Sequence, residues 1–172
     1  MIGRLALLAA TVGIATAAYS QEQEEPPEVV GGSVRSAQTI AVPAMPSADG
    51  APALGRQIAE VIASGLRSSG AFTPLGPAGM PGYSVAEAGA PAYPQWRSAG
   101  AGALVSGYVE PRGDGRITVA CLLHDVAAGR QLASQGFVVA PNNWRQAAHK
   151  CADLVYSRLT GEQPFLDTRI VF

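Results

Sequence analysis

Apolar positions along the chain recur with two periods, and each period predicts a different kind of element. Residues 103–109 read as a strand, residues 111–115 as a turn, and residues 116–124 as a longer strand in which Ile117, Val119, Cys121 and Leu123 share one face. A second turn at residues 127–130 leads into a third strand over residues 131–139, closed by Pro141. Connections this short join antiparallel neighbours, because parallel pairing needs a long crossover, so these strands form a meander. Elsewhere the period lengthens. Ile58, Val61, Ile62 and Leu66 recur at i, i+3, i+4 and i+8, with Arg56, Gln57, Glu60, Ser64 and Arg67 on the rest of the wheel, which predicts an amphipathic helix ending at Gly70. Asn142 or Asn143 is placed to cap a second helix, running through Leu159 with Ala148, Cys151, Val155 and Leu159 on one face and stopped by Thr160-Gly161.

Between these elements the signals are shorter. Residues 39–42, closed by Pro43, read as a short strand and residues 44–53 as a loop; residues 71–75 read as a short strand or edge segment interrupted by Pro74. Residues 76–91 carry Pro77, Gly79, Pro81, Gly82, Gly89 and Pro91 and predict a long mobile loop; Pro94 then suits the first turn of a short helix through Ser98. Together the elements predict an α+β fold, a mixed or antiparallel β-sheet with two main α-helices packed on it.

The amino-terminal region has a pattern of its own. Arg4 is followed by 14 residues without a charge, rich in Ala and Leu, and Ala15-Thr16-Ala17 and Ala18-Tyr19-Ser20 are small-x-small cleavage sites. As a helix that run rises about 21 Å, short of the roughly 30 Å hydrocarbon core, so residues 1–20 predict an export signal and no stable membrane span after its cleavage. Residues 21–28 follow with four carboxylates, two prolines and no apolar side chain, a flexible acidic lead. Residues 29–35 hold Val29, Val30, Gly32, Ser33, Val34 and Arg35, with no period strong enough to fix their state.

Composition narrows the chemistry. Of 172 residues, 48% are hydrophobic but only 6% aromatic, so the interior is built from Ala, Val, Ile and Leu, and Trp96 and Trp144 are expected to fill the core. The net charge is −1, and the 12 basic residues are dispersed, which argues against a nucleic-acid surface. Only two histidines are present, His124 beside Asp125 and His149 beside Lys150; no paired Cys-x-x-Cys, His-x-x-x-His or phosphate-binding glycine loop accompanies them. The expectation is therefore a protein without catalytic residues, metal or cofactor. Cys121 and Cys151 stand in a compartment where a disulfide could persist, but with one in a strand and the other on a helix they are read first as buried free thiols acting as small hydrophobes, and second as a bridge.

A resemblance emerges at the carboxy-terminal end. Asn143-Trp144-Arg145, His149-Lys150, Ala152-Asp153, Tyr156, Arg158-Leu159-Thr160-Gly161-Glu162, Phe165 and Asp167-Thr168-Arg169-Ile170-Val171 together resemble the amino-terminal domain of the TolB family of the Tol-Pal envelope system. The likeness extends back through Asp125-Val126, Gln131-Leu132, Ala103-Leu104-Val105 with Gly107, Ile58-Ala59, and Thr39-Ile40-Ala41-Val42-Pro43, covering residues 29–172. It implies an adaptor domain over residues 29–166, preceding a six-bladed β-propeller whose first strand residues 167–172 would begin. Pal would be a partner only where a propeller is present. The resemblance further implies that Val29, Val30, Gly32, Ser33, Val34 and Arg35 match the segment with which the family engages the carboxy-terminal domain of TolA, in a mode suited to strand addition. His124 stands where the family usually has an aromatic residue. The competing reading is a stand-alone secreted ligand-binding or envelope-assembly module that uses the 76–91 loop.

Overall fold

The structure, a computed structural model, describes residues 37–48 and 52–163. In order, they form β1 (Gln38–Ala41), α1 (Pro52–Ser68), β2 (Phe72–Leu75), a 3-10 turn (Ala86–Ala88), α2 (Tyr93–Ser98), β3 (Ala103–Pro111), β4 (Ile117–Asp125), β5 (Arg130–Val139), a second 3-10 turn (Pro141–Asn143) and α3 (Trp144–Thr160). The strands make one mixed sheet in the order β2-β1-β3-β4-β5. β3, β4 and β5 are the antiparallel meander, with Gly107 opposite Cys121 and Cys121 opposite Gln135. β1 lies between β2 and β3 and is parallel to both. The parallel pair is possible because α1 supplies the long crossover that such pairing requires. The α+β class expected from the sequence is the one observed.

Alternation along the strands divides the interior in two. In β1, Ile40 belongs to the core beneath the helices while Ala41 belongs to a second cluster on the other face of the sheet. The first core gathers Val105, Val119, Cys121 and Leu123 from the sheet, Ile58, Ile62 and Leu66 from α1, and Trp144, Ala148, Cys151 and Val155 from α3. Gly70 and Gly161, both with positive φ, follow the ends of α1 and α3, as the left-handed stop requires. At the other end of α3, Asn143 occupies the cap position but its side chain makes no capping hydrogen bond; the preceding 3-10 turn leads the backbone into the helix instead.

Two further expectations are corrected. Cys121 and Cys151 are not free thiols. They form a disulfide with Cα atoms 5.8 Å apart, joining β4 to α3. Each sits on the inward face of its element, and the layers bring those faces together. Nor is the 76–91 segment, expected as a long mobile loop, free of the sheet, although apart from the 3-10 turn it is a loop. It lies against the second face of the sheet, with Ala88 fully buried and Tyr83 packed against Trp96 edge to face, ring centroids 6.4 Å apart.

Trp96, also fully buried, packs with Leu104 and Val126 on that second face, and Trp144 enters the helical core, so both indoles fill the interior.

Candidate functional site

The site expected from the sequence, Val29, Val30, Gly32, Ser33, Val34 and Arg35, lies outside the described residues. The described residues begin two positions after it, at Ala37. The chain enters the sheet at Gln38, whose backbone N–H donates to the Ala71 carbonyl at 3.1 Å. Beside this point opens a groove of about 460 Å³, lined by Gln38, Phe72, Tyr156, Leu159 and Glu162 among others. Its floor is aromatic: Phe72 and Tyr156 meet edge to face with centroids 6.3 Å apart. Tyr156 donates its hydroxyl proton to the Glu162 carboxylate. That carboxylate, with burial behind it, holds the Tyr156 hydroxyl above its usual pKa. The groove therefore offers an apolar floor and an acidic rim directly next to the first strand. Sequence reading did not single it out, because Phe72 and Tyr156 are far apart in the chain and each satisfies its own local pattern.

The residues that could carry chemistry are arranged differently. His124 is fully buried on the second face of the sheet. The Ser106 hydroxyl donates to the Ala88 carbonyl at 2.6 Å. His124 Nε2 is 2.9 Å from Ser106 Oγ and 3.2 Å from the Ala88 carbonyl oxygen, while Nδ1 is 3.1 Å from the Tyr93 hydroxyl. These partners fit a neutral ring that donates from Nε2 and accepts at Nδ1. Burial pushes the His124 pKa down, against a smaller opposing pull from the Ala88 carbonyl. The Ser106 proton is engaged by a backbone carbonyl, and Ser106 itself is almost fully buried. The cluster therefore acts as a tie, holding the 76–91 segment and α2 to the sheet. His149 sits apart from it, on α3, beside Arg145 in a groove with Val61, Ser64 and Ser68 of α1.

Tyr83 supplies a second tie. Its hydroxyl accepts the Gly107 N–H and donates to the Gly107 carbonyl, both at 2.9 Å. On this side of β3, β1 pairs only as far as Leu104 and the next partner is Ser47 opposite Val109, so the phenol fills a gap in the ladder. A side chain at Gly107 would run into the Ala120 carbonyl of β4. Burial raises the Tyr83 pKa, keeping the hydroxyl protonated for this double role.

Among the described residues, no group of three or more His, Cys, Asp or Glu is placed to hold a metal ion, and no helix is long and apolar enough to cross a membrane.

Comparison with known proteins bears on the fold and on the family. Residues 28–132 match the family model for the TolB amino-terminal domain. The Tol-Pal system protein TolB of Zymomonas mobilis subsp. mobilis is 49% identical over 150 residues, which is 83% of this chain and 33% of that protein. TolB of Rhizorhabdus wittichii is 42% identical over 175 residues, 98% of this chain and 39% of the relative. The crystal structure of TolB from Acinetobacter baumannii superposes with a TM-score of 0.60 at 25% identity, covering 76% of this chain and 30% of that one. The chain thus spans about a third of the length of the curated relatives it matches. It belongs to the TolB family of Tol-Pal system proteins, and the region matched is that family's amino-terminal domain.

Proposed function

We propose that this chain is a non-enzymatic periplasmic adaptor of the Tol-Pal system, exported by residues 1–20 and contacting a TolA-type domain through Val29, Val30, Gly32, Ser33, Val34 and Arg35. In this reading it serves outer-membrane integrity and cell division by lending surface and backbone to neighbours. The family membership carries the reading, and sequence position supports it: residues 29–35 precede, by two residues, the strand that starts at Gln38. A short segment of that composition can add to the edge of a partner's sheet on binding, with main-chain hydrogen bonds giving affinity and alternate side chains giving selectivity. In this reading residues 21–28 are the acidic lead to this segment and residues 167–172 would lead into a propeller, to which docking of Pal would belong.

The alternative, a ligand-binding module working through the 76–91 loop, is less well supported, because that segment commits Tyr83 and Ala88 to the sheet. Capture by an immobilised TolA carboxy-terminal domain tests the proposal. The mature chain is expected to be retained and a version lacking residues 21–35 to be lost, with both showing the same folded spectrum. Failure of the mature chain to bind at all overturns the adaptor reading.

A further inference from the structure

α1 and α3 cover the same face of the sheet, and both are 17 residues long, yet their buried faces differ in kind. α1 brings Ile58, Ile62 and Leu66 to the core, one large apolar side chain per turn between its small Gly55, Ala59 and Ala63. α3 buries Trp144 at its start and Val155 and Tyr156 toward its end, where Leu154 and Leu159 also pack partly buried against the core, but from Ala147 to Ala152 it buries only Ala147, Ala148, Cys151 and Ala152. Small side chains remove little apolar surface from water, so the middle of α3 contributes the least hydrophobic attachment in the helical layer. Cys151 lies in that middle stretch. Its partner Cys121 is held in β4, a strand paired along its length with β3 on one side and β5 on the other. The disulfide thus fastens the weakest part of α3 to a strand positioned by its own ladders, and both cysteines are fully buried.

We propose that the Cys121–Cys151 bond is a redox lock on α3: in the reduced chain the sheet and α1 are formed and α3 is loosened from them, and oxidation fixes it. Closing the bond removes two protons and two electrons from the thiols. The electrons pass to a disulfide acceptor, such as oxidised glutathione or a thiol-disulfide exchange protein, which leaves as two thiols. Once closed, the bond is shielded from reductants by its burial. Placing the closure after export rests on the periplasmic reading, since an oxidising compartment is where such a bond persists; the lock itself does not depend on it. Before the membrane is crossed the two cysteines are then thiols.

Amide hydrogen exchange on the full chain, oxidised and after unfolding and refolding under a phosphine reductant, tests this. On reduction, α3 amides are expected to lose about tenfold or more of their protection while α1, β3 and β4 lose less than roughly threefold, with Tm lower by about 10 °C. Reoxidation with oxidised glutathione restores α3. The double variant Cys121→Ala, Cys151→Ala reproduces the reduced pattern and no longer responds to reductant. Protection of α3 unchanged on reduction overturns the proposal, and so does a loss spread evenly over α1, β3, β4 and α3, including failure of the reduced chain to fold. Failure of the periplasmic reading shows separately, as thiols found reduced on alkylation of fractionated cells with the exchange result unaltered.

Discussion

One face of the sheet is covered by α1 and α3, which meet it through Ile58, Ile62, Leu66, Trp144 and Val155 and one covalent bond. The other is covered by the 76–101 segment, held by Trp96, Tyr83 and a short chain of hydrogen bonds through Ser106, His124 and Tyr93. Arg97 adds a further fastening, its Nε donating to the Val126 carbonyl at 3.0 Å. On the helical side apolar area does the holding, and it tolerates small shifts because it has no preferred direction. On the segment side most ties are directional, each made between particular atoms, so one lost hydroxyl removes a definite hydrogen bond.

This contrast predicts a graded response to substitution. Leu66→Ala, in the helical core, is expected to lower global stability by about 2–5 kcal/mol, read as an earlier urea midpoint for all probes together. Were the 76–101 segment to detach first in this variant, the two coverings would be less independent than described. Tyr83→Phe keeps the ring and removes the hydroxyl that serves both groups of Gly107; the expected cost is about 1–3 kcal/mol, with faster exchange concentrated at the Gly107 amide. An unchanged Gly107 amide would show that the phenol is not its protector. Ser106→Ala costs less, about 1 kcal/mol, because the Ala88 carbonyl still has His124 Nε2 at 3.2 Å.

The smallest effect concerns pH. The folded His124 has its pKa below the ordinary 6.5, so on acidification the unfolded chain takes up the proton first. Stability attributable to this group is complete above about pH 6.5 and declines as pH falls toward the folded value. His124→Phe is expected to flatten that part of the stability-pH curve. A slope equal to the parent's in the same window would assign it to other groups.

The sequence made the meander and both long helices legible because in each the period is carried by many residues: four inward side chains in β4 alone point the same way, Ile117, Val119, Cys121 and Leu123. The parallel pairing of β1 with β2 was not legible, since strands of four residues carry almost no period, and Pro74 in β2 argues locally against a strand. The disulfide was only the second reading of the two cysteines for a related reason. Two cysteines 30 residues apart each look like one more small apolar residue on a core face, and only the stacking of helix on sheet brings them together. The ties of the 76–91 segment have no sequence period at all, because Tyr83 and Ala88 are fixed by a glycine backbone and a serine on a distant strand. Of the candidate site, the segment was read from family resemblance, while the groove beside Gln38 depends on residues drawn together from three places in the chain.

The placement of β1 has a mechanical consequence. A partner gripping the polypeptide upstream of Gln38 would tug on an interior strand flanked on both sides, from Gln38 opposite Phe72 to Ala41 opposite Leu104. Tension along that strand loads its rungs in shear, all at once, where an outermost strand pulled sideways would unzip rung by rung.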